Sequence, residues 1–318
     1  MKTPAFWSGK NLLSSLLAPL GCLYALATAI RIKRGRPRKI GRPVICVGNI
    51  TAGGTGKTPT AVSIAGLLQT RGLNPFFVSR GYGGKLKNIL VDIQKHSAAE
   101  TGDEPLILAR QAPVVINPDR VAAAQKALQS GAELIIMDDG FQNPGLRKDL
   151  SFLVFDGAAG IGNGLCIPAG PLREKLDDGL KRAQAVIILG EDKHNLRALF
   201  PEMPVFHGRL APIPPQSGKK EIIAFAGIGR PEKFYASLRE LGFTLLKTLD
   251  FPDHHRYGAK ELAKIINTAG RLNADIYTTA KDFVKIPLPL RPHFRVLEVE
   301  VRWKDAEKLT DFILEKIR

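Results

Sequence analysis

The sequence is poor in cysteine, with three residues among 318: Cys22, Cys46 and Cys166. They are widely spaced and form no Cys-x-x-Cys pair, so we expect neither a disulfide framework nor a structural zinc site. This usage fits a reducing cytosol, and Cys46 fits a small core residue in a buried strand. Aromatic residues make up only 7% of the chain, which argues against the stacking surfaces of a nucleic-acid-binding module.

Acidic residues are also scarce beside basic ones. Thirty Asp and Glu against 46 Lys and Arg give a formal net charge of +16. Such a charge favours polyanionic partners, which include nucleic acid, phosphorylated substrates and anionic membrane surfaces. No zinc, helix-turn-helix or aromatic-platform signature accompanies the charge, so we expect no nucleic-acid partner. Internal repeats and low-complexity tracts are absent from the sequence, and its length suffices for two domains.

One long apolar run lies near the N-terminus, at Leu12–Ile30, and its length is roughly that of a single crossing of the hydrocarbon layer. Its polar members are Ser14, Ser15 and Thr28. The cations that flank the run are Lys2 and Lys10 before it, and Arg31, Lys33, Arg34, Arg36, Arg38 and Lys39 after it.

Several structures fit this run. A cleaved signal peptide is disfavoured, because the following cations resist translocation. A transmembrane helix, an interfacial helix that binds anionic lipid, and a helix buried against the folded domain remain as alternatives. Pro19 and Gly21 weaken a straight span. We expect a membrane-associated N-terminal helix and leave its depth open.

A glycine-rich loop follows at residues 47–59, V-G-N-I-T-A-G-G-T-G-K-T-P, between an apolar strand pattern and a helical pattern. Backbone N–H groups of such a loop cradle polyphosphate, and the helix N-terminus adds positive potential. Lys57 would reach the β- and γ-phosphates of a nucleoside triphosphate, and the Thr58 hydroxyl would hold Mg²⁺. The predicted nucleotide-binding residues are Thr51, Ala52, Gly53, Gly54, Thr55, Gly56, Lys57 and Thr58. Thr51 replaces the first glycine of the G-x-x-x-x-G-K-[ST] pattern, and an ordinary strand-to-helix turn is the alternative.

From residue 43 onward, apolar strand patterns alternate with helical ones, which predicts an α/β fold with a P-loop NTPase-type parallel sheet flanked by helices. The expected strands are 43–47, 74–79, 112–116, 134–137, 152–155 and 185–189, with a helix at 120–130. A Pro-rich stretch predicts a linker, and four more strands, at 221–226, 243–249, 275–279 and 294–301, predict a second, smaller α/β domain. The expected division is a membrane-associated segment (1–40), a P-loop domain (41–210), a linker (211–220), the smaller domain (221–303) and a C-terminal helix (304–318).

Two acidic pairs are candidates for catalysis and metal binding. Asp138 and Asp139 follow an apolar strand, where ligands of open α/β sheets bind, and a carboxylate there can hold Mg²⁺. A solvated acidic turn is the alternative. Asp103 and Glu104 precede a helix, where one could accept a hydroxyl proton and the other could bind metal or water. They could instead cap that helix.

Two loops combine glycine with arginine, and both are candidates for substrate contact. Ser79–Gly84 carries Arg80 and Tyr82, and Pro168–Glu174 carries Arg173 and Glu174. Arginine in a fixed loop suits phosphate on the acceptor or on the nucleotide. Plain strand-to-helix turns are the alternative.

Adjacent histidines, His254 and His255, follow a strand of the second domain. A histidine there could pair with an acid across a cleft and relay a proton. A structural turn capped by Asp253 is an equal alternative.

In their order along the chain, these segments resemble the tetraacyldisaccharide 4'-kinase (lipid A 4'-kinase) family. The matching segments are Val47–Pro59, Ser79–Gly83, Gly102–Pro105, Asp138–Gln142, Pro168–Glu174, Ala224–Pro231 and Asp253–His254. Together they cover nearly the whole length, and several of them are unusual among P-loop proteins.

The resemblance implies an ATP- and Mg²⁺-dependent kinase at the cytoplasmic face of a Gram-negative inner membrane. It would phosphorylate the 4'-hydroxyl of tetraacyldisaccharide 1-phosphate, a lipid disaccharide, to give lipid IVA. Asp103 would be the base, paired with His254, and Asp138 with Thr58 would form the magnesium centre. The residues that would support the site are Glu104, Asp139, Arg173 and Glu174; a role for His255 stays open. Because the sites lie on both sides of the linker, we expect hinge closure on substrate binding.

A regulatory GTPase or a membrane-linked ATPase is the main rival. A GTPase would need an N-K-x-D guanine motif. The nearest segment is Thr279–Asp282, T-A-K-D, whose spacing is wrong.

Overall fold

The computed structural model describes residues 4–253 and 255–318, so the predicted His254 lies outside the described residues. The α-helices are α1 Leu12–Lys33, α2 Lys57–Gln69, α3 Ala98–Thr101, α4 Asp103–Leu108, α5 Arg120–Gln129, α6 Leu176–Leu180, α7 Pro231–Glu240, α8 Ala259–Leu272, α9 Ala280–Phe283 and α10 Ala306–Ile317. The strands are β1 Val44–Gly48, β2 Pro75–Ser79, β3 Ile89–Leu90, β4 Val114–Ile116, β5 Leu134–Asp138, β6 Leu150–Asp156, β7 Ala185–Leu189, β8 Val205–Pro212, β9 Glu221–Ala226, β10 Thr244–Asp250, β11 Asp275–Thr279, β12 Arg295–Leu297 and β13 Val299–Trp303. Short 3₁₀-helices lie at Ala5–Trp7, Leu196–Leu199 and Leu288–His293.

Within the described residues, one sheet has nine strands in the order β13-β8-β7-β6-β1-β5-β2-β4-β3. Its interior strands pair in parallel, and only the edge strands β13 and β3 run antiparallel to their neighbours. Every residue of β1, β2, β5, β6 and β7 is buried, as expected for parallel strands covered by helices on both faces. The predicted parallel sheet flanked by helices is confirmed.

Alternate residues of β1 serve the two faces of this sheet. Ile45 and Val47 belong to the core that α2 and α10 cover, whereas Val44 and Cys46 belong to the core that α5 covers. Cys46 is fully buried, as predicted, and burial raises the pKa of its thiol to about 12. The glycine-rich loop after β1 and the acidic residues after β5 therefore follow strands that helices cover on both faces.

A second sheet has four parallel strands in the order β10-β9-β11-β12. Its middle strand β9 gives Ile222 and Ala224 to the core under α7, and Ile223 and Phe225 to the core under α8. A smaller α/β unit therefore follows the first one.

Two elements differ from the prediction. Strand β8 was not predicted, and it extends to Pro212, into the expected linker. The expected strand 294–301 is wrong as a single element, because β12 joins the small sheet whereas β13 pairs with β8 in the large one. Val301 and Trp303 supply the physical reason: Val301 enters the large core, and the Trp303 indole donates a hydrogen bond to Ser63 Oγ at 2.8 Å.

Helix α1 has one small-residue face that packs on the protein. Its buried residues are Ser14, Gly21, Ala25 and Thr28. A Cβ on Gly21 would lie 2.7 Å from the carbonyl oxygen of Cys166, so the helix backbone touches the loop beneath it. The exposed apolar residues of α1 are Leu12, Leu13, Leu16, Leu20, Leu23, Tyr24, Leu26 and Ile30. Among the described helices, α1 is long and apolar enough to cross a membrane by length and composition.

Candidate active site

The glycine-rich loop connects β1 to α2 and is held from below. The buried Asn49 side chain donates to the Thr51 carbonyl at 2.7 Å and to Thr55 Oγ1 at 3.1 Å. The loop also pairs with a second loop, because Ala52 N–H donates to the Pro171 carbonyl at 2.7 Å. Lys57 is the first residue of α2, so the lysine and the helix N-terminus point positive charge to the same place.

Thr58 and Asp138 meet at the carboxyl edge of the large sheet. Strand β5 lies beside β1, and Thr58 Oγ1 donates to Asp138 Oδ2 at 2.8 Å. The other carboxylate oxygen of Asp138 is buried and has no hydrogen-bond partner among the described residues. Burial, followed by the charge of Asp139, raises the pKa of Asp138 to about 7. A hydroxyl and a buried carboxylate with an unused oxygen are suitable ligands for Mg²⁺.

Asp139 takes a different position from its neighbour. It forms ion pairs with Lys57, at 3.7 Å, and with Arg173, at 2.9 Å. Burial favours a higher pKa for Asp139, but Lys57 and Arg173 outweigh it and hold the pKa below its usual range. Burial also lowers the pKa of Lys57, which the charge of Asp139 partly restores. Asp139 thus holds two cations at the mouth of the glycine-rich loop.

Asp103 and Glu104 form the first turn of α4, and both are half-buried. A Cβ on Gly102 would lie 2.4 Å from the Tyr82 carbonyl oxygen, so the Arg80–Tyr82 loop packs directly against the start of α4. Glu104 is close enough to Lys57 and Asp138 for its charge to raise the pKa of each. Glu104 therefore lies near the glycine-rich loop, and Asp103 is its neighbour in the first turn of α4.

Glu174 differs from the expectation of a substrate contact. It is only 3% exposed, and its carboxylate is bound by Gln142 Nε2, at 2.9 Å, and by the Arg182 guanidinium. Such a buried carboxylate fixes its loop and is covered from substrate. Arg173, the preceding residue, points to Asp139. Of the other predicted contacts, Arg80 and Tyr82 are exposed, Tyr82 by 72%.

Two residues at this site, Gln142 and Arg120, were not identified as candidates from the sequence. Gln142 bridges Glu174 and the Asn49 carbonyl, which it reaches at 2.8 Å. Arg120 begins α5 and is 6% exposed, and its Nε has no hydrogen-bond partner among the described residues. Burial and then Arg80 lower the pKa of Arg120 to about 10. Gln142 lies in a segment used for the resemblance, whereas Arg120 lies in an ordinary helical pattern and gives no signal.

The second unit presents the segment 253–257. Asp253 accepts from Lys281 Nζ at 3.0 Å. His255 stacks on Phe251 and has Nε2 at 3.2 Å from Glu261, so it is held by its own unit. Among the described residues no group of three or more His, Cys, Asp or Glu side chains could hold a metal. That finding is compatible with a nucleotide-bound Mg²⁺, because phosphate and water supply most of its ligands.

The family model for tetraacyldisaccharide-1-P 4'-kinase matches residues 13–318. A tetraacyldisaccharide 4'-kinase of Rhodospirillum centenum is 48% identical over 97% of this chain and 95% of its own length. One of Gluconacetobacter diazotrophicus is 45% identical over 99% of both chains. A crystal structure of LpxK from Aquifex aeolicus in complex with ATP has a TM-score of 0.80 and 28% identity, and covers 96% of this chain and 100% of its own. On this agreement of sequence and fold, the chain belongs to the tetraacyldisaccharide-1-P 4'-kinase family.

Proposed function

We propose that Asp103 is the base of this kinase and that Thr58 and Asp138 hold its Mg²⁺. The family resemblance inferred from the motifs is confirmed, so the chain is an ATP-dependent lipid A 4'-kinase. The reaction is transfer of the γ-phosphate of ATP to the 4'-hydroxyl of tetraacyldisaccharide 1-phosphate. The assignment of residues to roles rests mainly on one observation, the hydrogen bond between Thr58 and Asp138 beside Lys57.

The donor set supports Mg²⁺ in particular. The unpartnered oxygen of Asp138 and the hydroxyl of Thr58 are hard oxygen ligands on adjacent elements. When bound, the ion neutralises charge on the β- and γ-phosphates. Lys57 binds the same phosphates, and Asp139 and Arg173 keep Lys57 oriented. Asp139 accordingly has a positioning role in this proposal, and Glu104 is left as a ligand through water.

At the acceptor, Asp103 takes the proton of the 4'-hydroxyl, and the pairing of His254 with Asp103 that the resemblance implies stays part of the proposal. Arg80 and Tyr82 lie in the loop that packs against the start of α4, and Arg120 lies close enough to Arg80 to interact with its charge. The charge and polarity of these side chains suit a phosphorylated sugar. Catalysis then consists mainly of positioning and charge neutralisation.

The membrane surface is the second proposed partner. Because the small-residue face of α1 packs on the protein, the leucine face is left for lipid, which favours a helix lying in the interface over one that crosses the bilayer. The cations after the run would bind anionic headgroups on the cytoplasmic side. An acyl-chain-anchored substrate would then reach the site without leaving the bilayer.

Closure between the units is part of the same proposal. Asp156, at the end of β6, pairs with Arg230 at 3.3 Å and Lys233 at 3.1 Å from the second unit. We expect the radius of gyration measured by X-ray scattering to decrease when an ATP analogue and acceptor are added together. Superimposable profiles with and without these ligands would argue against hinge closure.

The direct test is a transfer assay. Purified protein is incubated with γ-labelled ATP, Mg²⁺ and a tetraacylated disaccharide 1-phosphate in mixed micelles, and labelled lipid is expected. EDTA should abolish labelling, and added Mg²⁺ should restore it. Hydrolysis of ATP without labelled lipid would favour the ATPase alternative, and labelling that survives EDTA would contradict the metal site.

A further inference from the structure

The segment Thr279–Lys285 contains the T-A-K-D stretch that fails as a guanine motif. It leaves β11 and forms the short helix α9. Thr279 caps this helix, because its side chain accepts from Asp282 N–H at 3.1 Å. Two charged residues in the first turn of α9, Lys281 and Asp282, contact different parts of the second unit.

Asp282 is completely buried and bound by several donors. Its carboxylate accepts from Tyr257 Oη at 2.8 Å, from Gly227 N–H at 2.9 Å and from Thr279 Oγ1 at 2.7 Å. Lys285 Nζ completes an ion pair at 2.7 Å. A buried carboxylate is stable only when paired and hydrogen-bonded in this way. Asp282 therefore fixes Tyr257 and the Gly227 turn relative to α9.

Lys281 holds Asp253, which lies four residues before Tyr257. Its Nζ lies 3.0 Å from Asp253 Oδ1, and both side chains are about three-quarters covered from solvent. Lys281 and Asp282 are neighbours in sequence, so α9 holds the residues Asp253 and Tyr257 that flank the histidine pair. The positions of Asp253 and Tyr257 are thereby set by α9 as well as by the strand β10 that precedes them.

Helix α9 also contacts α4, the helix that begins with Asp103. One short helix thus touches the element that carries the proposed base and, through Lys281, also Asp253. A displacement of α9 would change the separation of the two.

We propose that Lys281 is a positioning residue, which holds Asp253 in a fixed place relative to Asp103 by pairing with it from a helix packed on α4. The inference rests on the proposed function, in which Asp103 accepts the proton. Phosphoryl transfer relies on placement, and a misplacement of about 1 Å costs roughly 10²-fold in rate. Lys281 is therefore expected to affect turnover while leaving the nucleotide site unchanged.

The test compares Lys281→Met with Lys281→Arg, and uses Lys264→Met on the exposed side of α8 as the matched control. We expect Lys281→Met to lower kcat by about 10–100-fold, with KM for ATP and affinity for an ATP analogue within about twofold of wild type. Lys281→Arg, which keeps the charge, should recover most of the rate. Lys264→Met should behave as wild type.

A double-mutant cycle with Asp253→Asn identifies the pair. If the two groups act together, Lys281→Met should cost little more in an Asp253→Asn background, whereas multiplied losses would overturn the proposal. A kcat for Lys281→Met within threefold of the control would also overturn it. Should Lys281→Met fail to fold by its thermal transition, the rate of Asp253→Asn decides: a wild-type kcat for that variant would contradict the pairing. Failure of wild type to label lipid, or an unimpaired Asp103→Ala, would instead refute the proposed function.

Discussion

At the carboxyl edge of the nine-stranded sheet, the predicted nucleotide-binding residues follow strands that are buried along their whole length. Asp253 and Tyr257, by contrast, each lie outside any helix or strand. Thr58 and Asp138 meet because β1 and β5 are neighbours. Asp253 is placed instead by an ion pair with Lys281, 28 residues away. The half of the site that binds nucleotide is thus positioned by strand order. The half that contains Asp253 is positioned by polar contacts between residues distant in sequence.

This difference predicts that substitutions in the two halves of the site have different effects on nucleotide binding and on turnover. Changes at the glycine-rich loop should impair both nucleotide binding and turnover. Changes at α4 or at the Lys281–Asp253 pair should impair turnover alone.

Loss of the Asp103 carboxylate should have the largest effect. Asp103→Ala is expected to lower kcat by roughly 10²–10⁴-fold, because general-base catalysis contributes in that range. Affinity for an ATP analogue, measured by calorimetry, should stay within about threefold of wild type. Glu191→Ala, at a side chain 79% exposed, is the control. A near-normal kcat would show that another group takes the proton.

Removal of the Thr58 hydroxyl should affect binding as well as rate. Thr58→Ala deletes one proposed ligand and the hydrogen bond to Asp138, so we expect kcat/KM for ATP to fall about 10²-fold and the Mg²⁺ requirement to rise. Thr70→Ala, at the exposed C-cap of α2, serves as the comparison. If Thr58→Ala left the Mg²⁺ dependence unchanged, the metal assignment would be wrong.

Substitutions on the leucine face of α1 lie outside both halves of the site, and we expect them to have a weaker effect. Leu16→Gln with Leu23→Gln should weaken sedimentation with anionic vesicles by about 10-fold or more, since each buried leucine contributes roughly 1.5–3 kcal/mol. ATP-analogue affinity should not change. The exposed charge Lys10→Gln, before the helix, should have a smaller effect. Undiminished vesicle binding of the double variant would mean that other surfaces suffice.

The smallest expected effect is a pH dependence of stability at Asp138. Its pKa is 3.8 ordinarily and about 7 when folded, so between these values the folded chain binds a proton that the unfolded chain lacks. Its contribution to the free energy of unfolding is therefore full below the lower value and is lost as pH rises towards the higher one. Asp138→Asn lacks this contribution, so its Tm relative to that of wild type should rise between about pH 4 and pH 7, by about 2–4 °C per kcal/mol. Parallel Tm–pH curves would contradict the raised pKa.

The sequence was most informative where chemistry and strand order coincide. The run around Lys57 and Thr58 predicted the β1–α2 connection, and the apolar strands predicted the parallel sheet, because both signals are local. Strand β8 was not predicted and β13 was not separated from β12, because the pairing of β8 with β13 joins residues far apart in the chain. The separate environments of Asp138 and Asp139 also could not be foreseen. They depend on Lys57 and Arg173 arriving from other loops.

Two arginines of the candidate site show the same limit of prediction from sequence. Arg173 was found because it lies in a glycine-containing loop, whereas Arg120 lies at the start of a helix and is buried only through its neighbours. Glu174 was assigned to substrate from its motif, but tertiary structure buries it against Arg182. Residue type and spacing can indicate a site, and only the fold decides which side of a loop faces it.

One measurement tests the central claim most directly: a crystal structure with a nonhydrolysable ATP analogue, Mg²⁺ and the lipid disaccharide. We predict Mg²⁺ bonded to Thr58 Oγ1 and held by Asp138, directly or through water, at the distance of about 2.0–2.1 Å typical of direct ligands. We also predict Asp103 within hydrogen-bond reach of the 4'-hydroxyl. Triphosphate bound away from the loop at 51–58, or a 4'-hydroxyl that faces another acid, would contradict the account.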